Sequence, residues 1–413
     1  MNKKLQRAMV LFFALLILFI IVVYFAEINN MNDLRLEYPE LQDEAFSFRK
    51  DTLKVWGVRL LLTFIIPLLF LTSGLSQRIS TLAGNGKGAF QSGLLYGLIF
   101  FGLIFLISLP LDFYSSYILP HKYGLSDQSF FRWFEINVKG FLIHDLITSL
   151  LLWVPYGIIY KNPKAWWFKI ALIIIPIIIF TTFISPLVID PIFNEYTSIE
   201  DEKLGQEIEG LLSKAGIEDA GIYKVDKSKD TKTMNAYMTG IFDSKRIVLW
   251  DTTINNLEED EVLSITAHEI GHYEKGHIGK SIIISSISIF LILYLVYRLS
   301  TCILKLSNGV FGFKDLCTYA SIPLLIIMLN LFSFLSNPIS SYLSRSMEIE
   351  ADRYEISLTE DRESAVSAME KLTKTSLGLP RPSNIYKIWY HTHPTLEDRI
   401  ELYRSVEYEK IEN

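Results

Sequence analysis

The side chains with the clearest chemical potential stand in one pentad, His268-Glu269-Ile270-Gly271-His272. Residues four apart share one face of an α-helix, so the imidazoles of His268 and His272 can both reach a single metal ion. The intervening Glu269 points beside that ion and can take a proton from a water molecule bound there. This spacing predicts one zinc ion per chain, with Glu269 as the general base of a hydrolysis reaction.

A catalytic zinc ion needs a third protein ligand and one open position. The sequence offers candidates on a later helix, in the segment from Arg345 to Asp352. Glu348 and Asp352 are four residues apart, so one can ligate the metal while the other orients a ligand histidine through its second ring nitrogen. The alternatives are Glu350, about 200° around the helix axis from Glu348, and Glu355, about 10 Å farther along it. The spacing favours Glu348.

Two other classes of zinc protease that use the same pentad are excluded. Metzincins place a third histidine six residues after the second one, where this chain has Ile278, and a glycine where it has Lys275. Intramembrane site-two proteases embed the pentad in an apolar span and take an aspartate from an Asn-Pro-Asp-Gly-like segment, which this sequence lacks. A glutamate from a later helix remains as the third ligand.

The composition limits the class of protein. Half of the 413 residues are hydrophobic and 20% are charged, which excludes an ordinary soluble domain and a disordered chain. The formal charge of −6 provides no basic field, so we expect no nucleic-acid partner. With Cys302 and Cys317 as the two cysteines, a cysteine-based metal site or a disulfide framework is also excluded.

Seven apolar runs are long enough, given the roughly 20 helical residues that a bilayer core requires, to predict transmembrane helices. They are Ala8–Ala26, Leu60–Gln77, Ala89–Leu111, Phe141–Tyr160, Ile170–Ile189, Ser281–Tyr297 and Leu316–Leu343. The first run follows basic residues as a signal peptide does, but its length and the spans after it favour a membrane anchor.

A polar insertion between the fifth and sixth runs carries the pentad. It is predicted to hold a helix at Ile199–Ala215 and strands at Gly221–Val225 and Arg246–Trp250. The pentad helix is predicted to begin with Asn256 as its N-cap and with Glu258–Glu261 in its first turn, where the helix dipole favours negative charge. The predicted fold class is an all-α polytopic membrane protein with a small α+β zinc domain at one membrane face.

The chain therefore divides into four predicted parts. Residues 1–189 hold five transmembrane helices, 190–280 the polar insertion with the pentad helix, 281–343 the sixth and seventh transmembrane helices, and 344–413 a helical segment with the third ligand and a His-Pro motif. Short loops on the N-terminal side carry eleven basic residues against seven on the other side. Taken literally, the positive-inside rule puts the polar insertion outside the cell.

At these residues the chain resembles the type I CAAX prenyl proteases, integral-membrane zinc metalloproteases of the gluzincin type. The family pattern His-Glu-x-Gly-His-x-x-x-Gly-His is met from His268 to His277, and Arg-x-x-Glu-x-x-x-Asp is met by Arg345, Glu348 and Asp352. Further matches are Asn235-Ala236-Tyr237 with Gly240, Lys245–Thr252, His393-Pro394 with Leu396 and Arg399, and, more weakly, Tyr123–Ser126 with Gln128-Ser129. The preceding Pro120-His121-Lys122 departs from the family, which has acidic residues there.

The resemblance implies that the seven helices enclose a water-filled chamber within the membrane, which a lipidated peptide enters between helices. It implies removal of the last three residues after a prenylated cysteine. The segment Asn235-Ala236-Tyr237 would pair with the substrate backbone as an added strand. His393 would steady the oxyanion, and Asp352 and Arg345 would support the zinc ligands.

The resemblance also implies a cytosolic catalytic face. We adopt this orientation because the count of basic residues leaves out the longest loop. The expected location is the endoplasmic reticulum membrane in a eukaryote or the cytoplasmic membrane in a bacterium. The expected partners are membrane lipids and a peptide or protein substrate carrying a lipid.

Two other functions compete with a prenyl-protein endopeptidase. A membrane quality-control protease would cut unfolded membrane proteins without needing a prenyl group. A metal-dependent receptor or transporter would place ionisable groups in the middle of a span, whereas the pair His144 and Asp145 lies near the end of one. The sequence therefore favours an enzyme.

Overall fold

The computed structural model describes residues 3–217, 219–241 and 244–405, which are mainly helical. In chain order the helices are α1 (Lys3–Glu37), α2 (Asp43–Thr72), α3 (Leu75–Gly84), α4 (Ala89–Lys122), α5 (Phe130–Lys161), α6 (Trp166–Phe193), α7 (Lys203–Lys214), α8 (Asp251–Asn256), α9 (Glu259–Glu274), α10 (His277–Ser307), α11 (Tyr319–Thr359), α12 (Arg362–Thr375), α13 (Asn384–Tyr390) and α14 (Leu396–Ser405).

Seven of these helices are long and apolar enough to cross a membrane, namely α1, α2, α4, α5, α6, α10 and α11. Each overlaps one predicted run, so the predicted number of spans is confirmed in the described part of the chain. The helices are longer than the apolar runs, because charged ends continue the helix beyond the hydrocarbon. The 41 residues of α11 measure about 60 Å, twice the roughly 30 Å of a bilayer core. Its charged end carries the predicted third ligand.

The polar insertion contains a mixed sheet. Its strands are β1 (Tyr196–Ser198), β2 (Gly221–Val225), β3 (Ala236–Thr239) and β4 (Arg246–Trp250), in the spatial order β1-β2-β4-β3. The central pair β2 and β4 is parallel, whereas β1 and β3 are added antiparallel at the two edges. The predicted strands are the central pair. The edge strands have three and four residues, too few to show an alternating pattern.

Two helix boundaries differ from the prediction. The helix expected from Ile199 begins at Lys203, because the Ile199 amide donates to the Ile222 carbonyl, 3.0 Å away, and so extends the pairing of β1 with β2. Asn256 is not the N-cap of the pentad helix, since it ends α8. The cap is Glu258, in a capping box with Glu261, where each side chain binds the other residue's backbone amide.

One hydrophobic core joins the sheet to the helices that carry the site. Its fully buried members include Ile247 and Leu249 of β4, Ile270 of α9, Ile356 of α11 and Ala368 of α12. Replacing a buried isoleucine such as Ile270 with alanine typically costs about 2–5 kcal/mol. The two helices with the predicted ligands are therefore fixed to each other by apolar packing.

Candidate metal centre

Helices α9 and α11 approach each other closely at the pentad, and a glycine makes this possible. A Cβ added at Gly271 would lie 3.1 Å from the carbonyl oxygen of Ala351 and 3.1 Å from Cβ of Tyr354. Contacts this short would push the two helices apart in a close-packed interior. The glycine therefore allows the histidines of α9 to lie beside the acidic turn of α11.

The three side chains predicted as ligands converge at this crossing. His268 Nε2 lies 3.1 Å from His272 Nε2. Glu348 reaches both rings, with Oε2 at 3.3 Å from His268 Nε2 and Oε1 at 3.4 Å from His272 Nε2. Ligand atoms about 2.1 Å from a tetrahedral zinc ion are separated by about 3.4 Å, so the triangle has the size of a metal site.

The unpaired oxygen and nitrogen atoms of the triangle also fit a metal ion. Glu348 Oε2 is buried and has no hydrogen-bond partner among the described residues. Leaving a buried carboxylate oxygen unpaired is costly unless a cation completes it. His268 contacts a carboxylate through Nδ1, which leaves Nε2 as the nitrogen with a free lone pair. Two imidazoles and one carboxylate with an open side form a donor set suited to catalytic zinc.

A fully buried network holds the far side of His268. Its Nδ1 lies 2.9 Å from Asp352 Oδ1 and 3.6 Å from Glu355 Oε2. The Tyr403 hydroxyl lies 3.1 Å from Asp352 Oδ1 and 2.8 Å from Glu355 Oε2, and the Arg399 guanidinium contacts Asp352. Both carboxylates have 0% exposure. The ring of His268 is therefore fixed in position and tautomer by groups behind it.

His268, Asp352 and Glu355 also lie close enough together to hold a metal ion. The Arg399 cation contacts this group, and the hydroxyls of Ser264 and Tyr403 donate to Glu355. The Arg399 cation offsets one of the two negative charges, and both Glu355 oxygens accept hydrogen bonds from hydroxyls, so this group acts as a hydrogen-bonded support of His268.

A second chain of contacts supports His272. The turn from α9 to α10 passes through Gly276, whose φ of 66° lies in the left-handed region that glycine adopts without strain. It returns His277 to His272, with 2.8 Å between the two Nδ1 atoms. His277 Nε2 is 3.2 Å from Glu350, which also binds Lys280. Glu350 thus faces away from the triangle, as its position on the helix predicts.

Glu269 opens onto a cavity of about 590 Å³. The cavity is lined by both histidines and Glu348, by residues 234–236 before and in β3, and by the spanning helices α6 and α10. Burial raises the pKa of the Glu269 carboxyl above its ordinary value, against the lowering effect of His268 and His272. A carboxylate of raised basicity beside the triangle is suited to accept a proton.

His393 reaches the same cavity from the segment between α13 and α14. Its Nε2 lies 3.6 Å from Glu348 Oε1, although 60% of its side chain is exposed. Arg345, expected to support the zinc ligands, instead donates from Nη1 to the carbonyl oxygens of Lys387 and His391, at 3.0 and 2.6 Å. Arg345 therefore anchors the segment that carries His393.

The segment Asn235-Ala236-Tyr237 enters β3, an edge strand at the cavity. Asn235 and Ala236 line the cavity with the pentad. Tyr237 points to the other face of the sheet, where its hydroxyl lies 3.2 Å from that of Tyr196. The sheet therefore brings the predicted substrate-binding segment beside the triangle.

Several site residues were not assigned a role from the sequence. His277 and Arg399 stand inside the matched motifs, and Tyr403 lies four residues after Arg399 on α14. The spacing between Arg399 and Tyr403 puts them on one helix face, which was an available signal. Their contact with Asp352 depends on how α14 packs against α11.

Comparisons with known proteins identify the family. Residues 198–407 match the family model of peptidase family M48, and residues 39–195 match that of the CAAX prenyl protease N-terminal, five membrane helices. The chain is 35% identical over 299 residues to the uncharacterized metalloprotease YhfN of Bacillus subtilis, covering 72% of this chain and 69% of that one. It is 31% identical over 367 residues to CAAX prenyl protease 1 of Saccharomyces cerevisiae, covering 84% and 77%.

Among solved structures, that of S. mikatae Ste24p superposes with a TM-score of 0.78 at 25% identity, covering 93% of this chain and 99% of that one. Fold and site together define an integral-membrane metalloendopeptidase. The chain belongs to peptidase family M48. The resemblance drawn from the motifs is confirmed, and the receptor or transporter alternative is wrong, because the family is one of metalloproteases with a resident metal ion.

Proposed function

We propose that this protein is a zinc-dependent endopeptidase that hydrolyses prenylated CAAX-type substrates near their C-terminus and removes the last three residues. The observation that carries the proposal is the triangle of His268, His272 and Glu348 with its unpaired carboxylate oxygen, opening beside Glu269 onto a cavity between spanning helices. Similarity to CAAX prenyl protease 1 over most of both chains supports the substrate class.

In this proposal His268, His272 and Glu348 hold one zinc ion. A bound zinc ion would lower the pKa of a water molecule toward about 7 and polarise the scissile carbonyl. Asp352 fixes the ring of His268, and His277 fixes the ring of His272, so that both Nε2 atoms stay directed at the ion.

Glu269 moves the proton. Its carboxylate takes a proton from the attacking water and delivers it to the nitrogen of the leaving amine. His393, at the edge of the triangle, donates a hydrogen bond from its ring to the oxyanion that forms at the scissile carbonyl. Its ring nitrogen lies 3.6 Å from Glu348 Oε1, and its side chain is 60% exposed, so a peptide in the cavity can reach it.

The peptide binds as an additional strand on β3. Within the described residues β3 pairs with β4 alone, so its outer edge offers backbone amides and carbonyls beside the triangle. Recognition through backbone hydrogen bonds fits a protease whose substrates differ in sequence.

The lipid enters from the membrane. A further cavity of about 690 Å³ lies among α6, α10 and α11 and shares Ile178, Ser281 and Ser285 with the cavity at the triangle. The two cavities together form a path from the triangle to the spanning helices. The apolar walls of this path can contact a prenyl chain, and its serine hydroxyls can contact the peptide. The zinc domain faces the cytosol, in the endoplasmic reticulum membrane of a eukaryote or the cytoplasmic membrane of a bacterium.

The same site would serve a second function: a quality-control protease would cut unfolded membrane proteins without needing a prenyl group. YhfN of Bacillus subtilis, at 35% identity, is named as an uncharacterized metalloprotease, so similarity to it supports peptide hydrolysis and no particular substrate.

The test uses the full-length protein in detergent and one peptide, with and without a farnesyl group on its cysteine. We expect kcat/KM to be at least about 10-fold higher with the farnesyl group, because binding energy from the lipid contributes to the transition state. Mass spectrometry should find the released tripeptide. Equal rates for the two peptides would favour the quality-control function, and cleavage that persists after zinc removal would contradict both.

A further inference from the structure

The backbone of β3 has a defined open edge. The Asn235 carbonyl accepts a hydrogen bond from the Trp250 amide, 3.0 Å away. In an antiparallel pair, every second residue bonds to the neighbouring strand. The backbone groups of Asn235 and Tyr237 are therefore directed at β4, whereas those of Ala236 and Met238 are directed away from it, toward the open edge. The Ala236 amide donates to Asn235 Oδ1, 3.0 Å away, so a peptide strand added to this edge would pair with the Ala236 carbonyl and with the backbone of Met238.

The side chains of β3 alternate between two cavities. Ala236 and Met238 line the cavity that holds the triangle. Tyr237 lines a separate cavity of about 330 Å³ on the other face, here called the Lys227 cavity. Side chains of an added strand alternate in the same way, so every second one would be directed toward the Lys227 cavity.

The Lys227 cavity combines apolar and aromatic walls with four charged side chains and has no net charge. Its lining includes the cations Arg132 and Lys227 and the carboxylates Asp190 and Asp230. Arg132 Nε lies 3.0 Å from Asp230 Oδ1, which also accepts a hydrogen bond of 2.8 Å from Gln128. Arg132 and Asp230 are thus already paired with protein groups. A charged ligand would leave the cavity with a net charge.

Two lining groups have no side-chain hydrogen bond or ion pair among the described residues. Asn194 is 8% exposed, and its Oδ1 is buried with no hydrogen bond in the described part of the chain. Lys227 forms no salt bridge with the described residues, and its Nζ lies 5.4 Å from the centre of the Trp250 ring. Burial lowers the pKa of this ammonium, against the raising effect of the Asp230 and Asp190 carboxylates.

We infer that the Lys227 cavity is a substrate subsite for a carboxamide side chain, glutamine or asparagine, at one position of the peptide bound to β3. A carboxamide donates through its NH₂ to Asn194 Oδ1 and accepts from the Lys227 ammonium through its carbonyl. An aliphatic side chain leaves the buried Asn194 Oδ1 without a donor and gives the partly exposed Lys227 ammonium no acceptor. A carboxylate gives Asn194 no donor. This inference rests on the proposed peptidase function and names part of its specificity.

The experiment compares kcat/KM of the full-length protein for peptides that differ at one residue, which is glutamine, glutamate or norleucine. Each position around the scissile bond is varied in turn. At one position we expect kcat/KM for the glutamine peptide to exceed that for the norleucine peptide by about 10-fold, because a hydrogen bond to a charged donor can contribute that much. In a double variant, Lys227→Met with Asn194→Leu, this ratio should fall to about 2-fold or less, while zinc content stays at one per chain.

Lys229→Met is the matched control, because Lys229 pairs with Asp226 and does not line the Lys227 cavity. It should keep the glutamine preference. The inference is overturned by the absence of a glutamine preference at every position, by a preference for glutamate over glutamine, or by a preference that the double variant retains. A wild-type protein that cleaves none of the peptides overturns the proposed function together with the subsite.

Discussion

His268 and His393 line the same cavity but are held in different ways. His268 is 6% exposed, and the groups behind it belong to α11 and α14, whose ends pack in the same core as α9. His393 is 60% exposed and lies on an irregular segment. The first is fixed within one small domain. The second depends on what holds its segment.

That segment is held by the membrane helices. Glu27 of α1 is fully buried, accepts a hydrogen bond of 2.7 Å from the Ser383 amide, and pairs with Arg49 of α2 at 2.9 Å. The Arg49 guanidinium lies 4.0 Å above the Tyr386 ring. The proposed ligand His268 and the proposed oxyanion donor His393 are thus attached to different parts of the molecule. Variants around His268 should change zinc content, whereas variants that affect the segment of His393 should change turnover at unchanged zinc content.

The largest effect is expected at Glu348. Glu348→Ala removes one corner of the triangle and should abolish both zinc binding and activity. Glu350→Ala should leave most zinc bound, because Glu350 contacts His277 and Lys280. Glu355→Ala should also leave most zinc bound. Zinc affinity measured across the three variants tests the ligand assignment, and a greater loss from Glu350→Ala than from Glu348→Ala would contradict it.

The next effect is expected at Glu269. Glu269→Gln keeps the size of the side chain but cannot take the proton, so kcat should fall by about 10²-fold to 10⁴-fold. Zinc content should remain at one per chain, because both imidazoles and Glu348 are unchanged. Single-turnover rates together with elemental analysis measure the two quantities. A near-normal rate would show that another group is the base.

Candidate ligands could be proposed from the sequence because residues four apart on a helix share a face. This spacing joins His268 to His272 and Glu348 to Asp352, although it does not bring the two helices together. The seven spans were equally accessible, since apolar length is a property of composition. The roles of Arg345 and Tyr403 were not accessible. Arg345 binds backbone carbonyls, which carry no sequence signal, and Tyr403 reaches Asp352 only through the packing of α14.

A smaller effect is expected behind the metal, at Asp352. Asp352→Asn keeps an acceptor for His268 but removes the negative charge that makes the ring a strong ligand. Zinc affinity should fall by about 10-fold to 100-fold, and activity should return at saturating zinc. A competition titration with a chelator measures the affinity. Unchanged affinity would mean that Asp352 serves the structure of the domain alone.

The smallest effect is expected on the other side of the comparison, at Glu27. Glu27→Gln weakens the pair with Arg49 and loosens the segment that carries His393, about 366 residues away in the chain. A small displacement of a catalytic group is costly, so kcat should fall by up to about 10-fold while zinc content is unchanged. Asp33→Asn, an exposed change on the same helix, is the control and should have no effect.

If Glu27 acts through His393, Glu27→Gln should add little to the loss already caused by His393→Ala, because residues acting as one unit are not additive. Fully additive losses in that double variant would show that Glu27 does not act through His393, and a loss of zinc in Glu27→Gln would show that the two regions are not supported independently.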